Sequence, residues 1–371
     1  MTSTVVQSSD PRALPNRSGN PRFLVLAPQG FGDCIEATPL VHALRTKYER
    51  SVIDVVVTQP TSRDLFVGLQ AFVDEVIYLP YWEHGLAAFA LALLKERRRD
   101  PYDVSFLVYP AARWEYQLLL WLFRSRKRIA HAYGQVTLKS LLWLHDTLVP
   151  VRSAPNALRN LDLLQVVSRM RDADLQYLIP DSWRITGAAS KRNTIALHVG
   201  TTKGRGCELR RWPVGYFAKV AAYFIDTGFE VVAICGPDDV EAVQELCKLV
   251  PRVEVLRGAL PDIGRQLSSV RLLISNDSGI AHLGGALGIE TIVLFGPTPV
   301  EHALFGANVH TLRPSLCPPC FDLRRGIRGC VKGLDFQCIR SDLTPEIVIE
   351  QAQKVLGAAR LRGACKSNYG F

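Results

Sequence analysis

Short apolar runs alternate along the chain with longer segments whose apolar residues recur at helical spacing. In the first half this pattern predicts strands at Phe23–Leu26, Val52–Val57, Glu75–Leu79 and Val104–Val108, and helices at Ile35–Lys47, Ser62–Leu69 and Leu86–Arg98. In the second half it predicts strands at Thr194–His198, Glu230–Cys235, Glu254–Leu256, Arg271–Ser275 and Thr291–Phe295, and helices at Val214–Thr227, Asp239–Leu249 and Gly279–Leu287. Strands that alternate with helices indicate parallel sheets covered on both faces.

Two such series predict two doubly wound, Rossmann-like domains, and a length of 371 residues favours the same number. The polar segment 179–193 contains Pro and Gly and is the predicted hinge. The expected divisions are a disordered tail over 1–20, an N-terminal domain over 21–182, a C-terminal domain over 190–345, and a C-terminal helix and tail over 346–371. Ligands of such domains bind at the carboxyl ends of the strands.

Composition narrows the class of protein. Hydrophobic residues make up 48% and charged residues 21%, which is typical of a globular chain and argues against disorder. No apolar run approaches the roughly 20 residues of a membrane-spanning helix, and the polar N-terminus lacks a signal-peptide core, so we expect a cytoplasmic protein. Its nine cysteines are then expected to be thiols or metal ligands. The net charge of +9 predicts an anionic partner.

The segment 274–298 reads as strand, short loop, helix and strand, and is the strongest candidate binding site. Asp277 and Ser278 are helix-capping residue types, and Gly279 opens the helix. The free backbone N–H groups of the first turn can bind a diphosphate, and His282 lies about one turn further on the same face. The alternative is an ordinary capped helix in which His282 is a packed core residue.

Two other loops follow predicted strands of the second half. The loop over 197–220 contains Thr201, Thr202, Lys203, Arg205, Arg210 and Arg211, whose cationic members can hold phosphate oxygens. A solvated basic loop is the alternative. In the stretch 234–242, Asp238 and Asp239 follow another strand, and a carboxylate there can hold ribose hydroxyls or cap the next helix.

The first glycine-rich turn, "GFGD", carries Gly30, Gly32 and Asp33 and precedes Glu36. Such turns usually hold phosphate at a helix N-terminus, but the charge of Asp33 would repel it. On its own the turn therefore indicates either a simple helix cap or a carboxylate used for other chemistry.

Four late cysteines follow a C-x2-C-x9-C-x7-C pattern: Cys317, Cys320, Cys330 and Cys338. Four thiolates in one loop can bind structural zinc or iron. Free cysteines in a reducing compartment are the alternative.

Three stretches together resemble glycosyltransferase family 9, the ADP-heptose:lipopolysaccharide heptosyltransferase family. They are "GFGDCIEATPLVHALR" with Asp33, the "RRWP" run, and "NDSGIAHLGGALGIETIVLFGPT". The resemblance extends from about Phe23 to the helix near Val355. It implies a GT-B fold and an inverting transfer of heptose from ADP-heptose that needs no catalytic metal. The C-terminal domain would bind the ADP-sugar and the N-terminal domain the acceptor.

The resemblance also implies roles for individual residues. Asp33 corresponds to the family's general base, with Glu36 as a second candidate. The donor side comprises Thr201, Thr202, Lys203, Arg210, Asp238, Asp277, Ser278, Gly279 and His282. The sequence departs from the family at Arg210, where the family has a phosphate-binding lysine. Heptosyltransferases that modify autotransporter proteins carry a four-cysteine iron site, so a protein acceptor is an alternative to lipopolysaccharide.

The acceptor is not identified by these motifs, and a small molecule is a further alternative. Basic residues of the N-terminal half flank an apolar stretch, "WEYQLLLWLF", which suits an anionic glycolipid or the inner membrane surface: Arg97, Arg98, Arg99, Arg124, Arg126, Lys127 and Arg128. A buried helix followed by a solvated turn explains them equally well. A non-catalytic nucleotide-sugar or nucleic-acid binding protein is the rival class. Because the basic residues form no continuous stripe, we expect an enzyme and no nucleic acid. The oligomeric state stays open.

Overall fold

The computed structural model describes residues 20–79, 100–134, 137–168, 175–185, 193–204, 206–315, 317–323, 327, 329–333 and 336–367. The chain divides into two compact units, Met1–Pro180 and Asp181–Phe371, and each contains its own six-stranded sheet. The predicted helix Leu86–Arg98, nearly all of the predicted tail and residues 186–192 of the predicted hinge lie outside the described residues.

The first unit is built on a parallel sheet with the strand order β3-β2-β1-β4-β5-β6. Its strands are β1 Arg22–Ala27, β2 Val52–Val57, β3 Glu75–Tyr78, β4 Tyr102–Leu107, β5 Ser125–Ala132 and β6 Thr147–Pro150. Its described helices are α1 Phe31–Lys47, α2 Pro60–Val67, α3 Trp114–Leu122 and α4 Asn156–Leu164. The order reverses between β1 and β4, so the loops after these two strands lie side by side.

The second unit repeats this topology with the strand order β12-β11-β10-β7-β8-β9, again parallel throughout. Its strands are β7 Thr194–His198, β8 Glu230–Ile234, β9 Glu254–Leu256, β10 Leu272–Asn276, β11 Glu290–Leu294 and β12 Val309–Leu312. Its described helices are α5 Val214–Asp226, α6 Val240–Leu249, α7 Leu260–Leu267, α8 Gly279–Ala286 and α9 Pro345–Ser367. At the reversal between β7 and β10, His198 pairs in register with Ser275.

Small residues let α8 pack closely on the second sheet. A Cβ added to Gly284 would lie 2.5 Å from Leu273 Cδ2, and one added to Gly285 would lie 2.8 Å from Val309 Cγ2. Any larger side chain would push the helix off the strands. The glycines therefore hold the N-terminus of α8 at the carboxyl end of β10.

The predicted α/β class with two Rossmann-like units is confirmed, but several element boundaries were wrong or missing. Helix α1 begins at Phe31 rather than Ile35, so Gly32 and Asp33 belong to its first turn. Strands β5, β6 and β12 and helices α4 and α7 were not predicted. Strand β5 begins with Ser125, Arg126, Lys127 and Arg128, and only Ile129, Ala130 and His131 are buried, so it shows no apolar run. Among the described residues, no helix has both the length and the apolar character needed to cross a bilayer.

Candidate functional site

The loops after β7 and β10 are held together by the side chain of Asn276, the last residue of β10. Its Oδ1 accepts a hydrogen bond from the backbone N–H of Trp212 at 2.9 Å. Its Nδ2 donates to the backbone oxygen of Val199 at 2.8 Å. Asn276 is fully buried, so these bonds are shielded from water. One amide thus holds together three chain segments at the reversal of strand order between β7 and β10.

Two of the predicted donor residues, Arg210 and Asp277, form an ion pair directly beside this amide. Arg210 Nη1 lies 2.7 Å from Asp277 Oδ2, and the two side chains are 17% and 6% exposed. The Nε of Arg210 is buried and has no hydrogen-bond partner among the atoms that the structure describes. A desolvated N–H without an acceptor is costly, and an anion placed there would relieve that cost.

The electrostatics of the pair keep both groups charged. Burial raises the pKa of Asp277, but the charge of Arg210, the nearby hydroxyl of Thr298 and the charge of His282 outweigh burial, so the pKa is lowered. Burial lowers the pKa of Arg210, but the charge of Asp277 outweighs that effect and the pKa is raised. The pair is therefore a permanent, oriented dipole at neutral pH.

Helix α8 starts immediately after this pair. Ser278 is its N-cap, and the Ser278 side chain accepts a hydrogen bond from Ala281 N at 3.4 Å. The backbone N–H groups at the start of a helix have no partner within the helix, and Ser278 and Gly279 are only half-buried, so these groups are available to an anion. His282, on the first turn, is buried.

The threonine and lysine residues of the loop after β7 are placed differently from one another. Thr201 is buried, and its hydroxyl donates to Cys207 O at 3.0 Å and accepts from Arg211 Nε at 3.1 Å. Thr202 and Lys203 are exposed, and Lys203 Nζ lies 3.1 Å from Glu241 Oε2. Exposed pairs of this kind are weak, so Lys203 can change partner, whereas Thr201 has a structural role.

Asp238 lies beside this loop, at the carboxyl end of β8. Its Oδ2 accepts from the backbone N–H of Lys203 at 3.2 Å. Arg211 Nη2 donates to the backbone oxygens of Asp238 at 3.1 Å and Thr201 at 2.7 Å. Arg211 therefore joins the two loops rather than presenting its charge to a phosphate. Arg205 lies outside the described residues.

A second polar network lies below the loops, and its central residue, His198, was not predicted as part of the site. His198 Nδ1 lies 3.0 Å from Ser278 Oγ, and His198 Nε2 lies 3.2 Å from Asp239 Oδ2. Both His198 and Asp239 are buried. A histidine as the last residue of a buried strand was the available signal, because that position faces the loops at the carboxyl edge of the sheet.

In the first unit, Asp33 is half-buried in the first turn of α1. The N-cap is Gly30, which contributes no side-chain cap, and Gly32 is buried within the helix. The preceding loop is fixed by Gln29 Nε2, which donates to Val108 O at 3.2 Å, and by Thr58 Oγ1, which donates to Pro28 O at 2.8 Å. These bonds place Asp33 at the carboxyl end of β1.

The second carboxylate candidate, Glu36, lies in a very different environment. It is fully buried, and the hydroxyl of Tyr177 donates to its Oε2 at 3.4 Å. A substrate hydroxyl can reach a half-buried carboxylate at the start of a helix more readily than one enclosed by its own unit. The accessibility of the two side chains favours Asp33 as the residue that meets a substrate.

The four late cysteines are thiols rather than disulfides. Burial raises the pKa of Cys320 and Cys338, and negative charge on the other cysteines of the set raises it further, so the four lie within electrostatic range. In the described part of the chain, no group of three or more His, Cys, Asp or Glu side chains is arranged to hold a metal ion.

Comparison with known proteins adds an independent line of evidence. The family model "Glycosyltransferase family 9 (heptosyltransferase)" matches residues 112–322, more than half of the chain. Lipopolysaccharide heptosyltransferase 3 of Escherichia coli is 26% identical over 287 residues, which cover 72% of this chain and 81% of that protein.

Solved structures of the same family share the fold. A glycosyltransferase family 9 protein from Veillonella parvula superposes with a TM-score of 0.73 at 20% identity, covering 92% of this chain and 98% of that one. An E. coli heptosyltransferase with ADP-2-deoxy-2-fluoro heptose gives a TM-score of 0.67 at 17% identity, covering 90% and 99%. The GT-B fold expected from the sequence is thereby confirmed.

Replacing Asp277 by Asn should destabilise the second unit by about 3 kcal/mol or more, because the charge of Arg210 is left buried without its counter-ion. Urea denaturation measures the change. Asp226→Asn is the matched control: Asp226 pairs with Arg252 at 3.4 Å, and both side chains are mostly exposed, so the loss should stay below about 1 kcal/mol. Equal losses in the two variants would show that burial of the Arg210–Asp277 pair is energetically unimportant.

Proposed function

The chain belongs to glycosyltransferase family 9, and we propose that it transfers heptose from ADP-heptose to an acceptor hydroxyl of the lipopolysaccharide inner core, with inversion at the anomeric carbon. The observation that carries this proposal is the buried Arg210–Asp277 pair at the N-terminus of α8, in which the Nε–H of Arg210 has no partner among the described residues. The E. coli structure that binds an ADP-heptose analogue has the same fold, which supports the choice of donor.

The donor site of the second unit would hold ADP-heptose in two parts. The diphosphate would lie at the first turn of α8, on the backbone N–H groups of Ser278 and Gly279 and on Arg210 Nε. Lys203 can leave its exposed pair with Glu241 to reach a phosphate oxygen. The half-buried carboxylate of Asp238 would accept hydrogen bonds from the ribose hydroxyls.

In the transfer step the acceptor oxygen bonds to the anomeric carbon as the bond from that carbon to the diphosphate oxygen breaks. The acceptor proton passes to Asp33, and the electron pair of the broken bond leaves with ADP. The negative charge that develops on ADP is stabilised by the start of α8 and by Arg210, so these groups supply the positive potential that a metal ion supplies elsewhere. We therefore propose chemistry that is independent of divalent metal.

ADP should bind in the presence of a metal chelator, because its phosphates meet only protein donors. Isothermal titration calorimetry with ADP and EDTA measures this directly, and Arg210→Gln should weaken the affinity by at least about tenfold through loss of a charge-assisted hydrogen bond. The control is Arg252→Gln, which removes an exposed arginine that pairs with Asp226 and not with a predicted donor residue. Binding that requires added magnesium would contradict the proposal.

Replacing Asp33 by Asn should lower kcat by about 10²–10⁴-fold, because the proton acceptor is lost while the size of the side chain is kept. ADP affinity should stay unchanged, since the donor residues belong to the other unit. Turnover with ADP-heptose and a heptose-deficient lipopolysaccharide acceptor gives the measurement, and protein and small-molecule acceptors are tested alongside.

Glu36→Gln is the matched control for Asp33→Asn. It removes a carboxylate from the same helix at a position that is fully buried. A collapse of kcat in Glu36→Gln together with near-normal turnover in Asp33→Asn would transfer the role of general base to Glu36.

We further propose that Cys317, Cys320, Cys330 and Cys338 bind one structural zinc or iron ion. Their C-x2-C-x9-C-x7-C spacing supports it, because four thiolates in one loop can surround an ion. Binding would have to draw the thiols together, since the described residues do not arrange them around an ion. The ion would stabilise the segment that precedes α9 and take no part in transfer.

Elemental analysis of protein purified without a metal-affinity tag should find close to one equivalent of zinc or iron per chain. Cys330→Ser should lose it, because three thiolates hold the ion less tightly than four. Cys247→Ser, at a half-buried cysteine of α6, should retain it. Metal-free protein in which the four thiols all react with a thiol reagent would refute this site.

A third proposal concerns localisation on the cytoplasmic face of the inner membrane. Helix α3 exposes Trp114 and Trp121, which lie seven residues apart and so share one face; they are 52% and 41% exposed. The neighbouring turns expose Leu138 and Trp143, at 82% and 55%. We call these four residues the tryptophan surface. One interpretation of the sequence was a helix buried on all sides. The exposed tryptophans show that α3 is only partly buried.

Charge near the tryptophan surface suits an anionic bilayer. Lys139 is exposed between Leu138 and Trp143, and tryptophan with lysine or arginine is the composition that favours a membrane interface. Of the basic residues in β5, Arg126 and Arg128 lie 3.5 Å from Asp103 and Asp146. Their charge is therefore partly neutralised within the unit, and Arg97, Arg98 and Arg99 lie outside the described residues.

The protein should sediment with vesicles that contain phosphatidylglycerol, and Trp114→Ser combined with Trp121→Ser should weaken that binding by about tenfold or more through lost apolar burial. Phe305→Ser is the control, since Phe305 is 53% exposed in the other unit. Equal sedimentation of all three proteins, or none with any, would contradict membrane contact through this surface.

A further inference from the structure

We propose that His198 is a positioning residue that sets the separation between the Asp238 loop and the α8 N-terminus, so that the ribose and the diphosphate of one nucleotide bind together. This inference rests on the proposed donor site and assigns a role to residues that lie beneath it. It concerns three side chains in a row: Asp239, His198 and Ser278.

The three side chains connect the ends of three strands. His198 ends β7, and its two ring nitrogens lie 3.2 Å from Asp239 Oδ2 and 3.0 Å from Ser278 Oγ. Asp239 follows Asp238, the predicted ribose ligand, and Ser278 precedes the first turn of α8. Asp239 is therefore the neighbour of the predicted ribose ligand Asp238. Ser278 itself would contact the diphosphate through its backbone N–H.

The hydrogen-bonding partners fix the direction of each bond. Asp239 also accepts from the backbone N–H of Gly236 at 3.1 Å, and the hydrogen bond from His198 helps to lower its pKa despite burial, so it is an acceptor. In the neutral ring His198 Nε2 then carries the proton and Nδ1 is an acceptor for the Ser278 hydroxyl, which lies 3.0 Å from Nδ1 and 3.1 Å from Ser275 Oγ. Ser275 Oγ is also near Nδ1, at 3.4 Å, but it donates to Asn276 O at 2.7 Å.

The three side chains are tightly packed. A Cβ added to Gly200 would lie 1.5 Å from Asp239 Oδ1, so the carboxylate packs directly against the backbone of the loop after β7. The imidazole is buried between its two partners. A shift of Asp239 is therefore transmitted through His198 to Ser278.

This arrangement has a consequence that distinguishes it from simple packing. If His198 sets the separation of two half-sites, its loss should weaken ADP, which occupies both, more than adenosine or inorganic diphosphate, which occupy one each. A residue that merely stabilises the fold would affect all three ligands alike.

The test uses His198→Gln, whose amide N–H can still reach Asp239 but which has no counterpart of Nδ1 for Ser278. The buried carboxylate stays paired, so the unit should fold. We expect ADP affinity to fall about 5- to 10-fold, corresponding to one net hydrogen bond, with adenosine and diphosphate changed less than twofold. The donor KM should rise by the same factor while kcat stays within twofold.

Ser278→Ala provides a second variant that removes only the half-exposed end of the row. It also removes the N-cap bond from Ala281, so it should weaken ADP at least as much as His198→Gln. The double variant should bind ADP no more weakly than Ser278→Ala alone, because the His198–Ser278 bond is already lost in that variant. His310→Gln is the matched control: its imidazole lies 2.8 Å from Glu290 at the β11–β12 edge, and its ADP affinity should equal that of the unaltered protein.

The outcomes separate this inference from the proposed function. Normal ADP affinity in His198→Gln, or additive losses in the double variant, would overturn the positioning role and leave the donor site intact. Equal weakening of ADP, adenosine and diphosphate would also overturn it. Failure of the unaltered protein to bind ADP at all would overturn both.

Discussion

The buried side-chain amide of Asn276 is the interaction on which the arrangement of the loops after β7 and β10 depends. It offers one acceptor and two donors at the end of a central strand, and it uses them on the backbone of Trp212 and Val199. Backbone groups of loops that leave a sheet have no ladder partners, so a fixed amide there satisfies them and sets their course at the same time. Trp212 is held again on its other side, where its indole N–H donates to Leu343 O at 2.7 Å. These two contacts fix Trp212, two residues after Arg210. Arg210 is consequently held in its buried position against Asp277, at the start of α8.

Among the described residues of the second unit, the two buried carboxylates, Asp239 and Asp277, lie at this one edge of the sheet. Asp277 and Asp239 both have lowered pKa values although burial opposes ionisation, because each faces a cationic or N–H partner. Such carboxylates contribute stability above the unfolded-state pKa of about 3.9, and that contribution is lost as the pH falls through the lower folded-state value. A buried pair is rarely the most stable choice for a core. Its presence beside a helix N-terminus therefore indicates that this edge is organised for an anion rather than for stability alone.

The sequence predicted the class of fold well because both sheets are parallel, and parallel strands covered on two faces give continuous apolar runs such as Phe23–Leu26. Elements without a clear apolar pattern were missed: β5 carries three consecutive basic residues, and α7 contains both Pro and Gly. Among site residues, the motif identified Arg210, Asp277 and Ser278, which the structure brings together. It did not indicate that Thr201 is committed to Cys207 and Arg211, nor that His198 and Asp239 lie beneath the loops. The contacts of His198 join residues 41 and 80 positions apart, and those of Thr201 depend on how its own loop folds, so no local sequence pattern indicates either.

The arginine at position 210, where the resemblance to the family implies a lysine, suits the environment that the structure gives it. An ammonium is strongly hydrated and acts as a point charge, so burying it against Asp277 would cost more and direct its donors less firmly. A guanidinium is more weakly hydrated and presents several N–H groups in fixed directions. Nη1 can be committed to Asp277 while Nε remains for another acceptor. The substitution therefore keeps the charge, tolerates the burial and retains one oriented donor, which is the combination that binding of a diphosphate at the start of α8 requires.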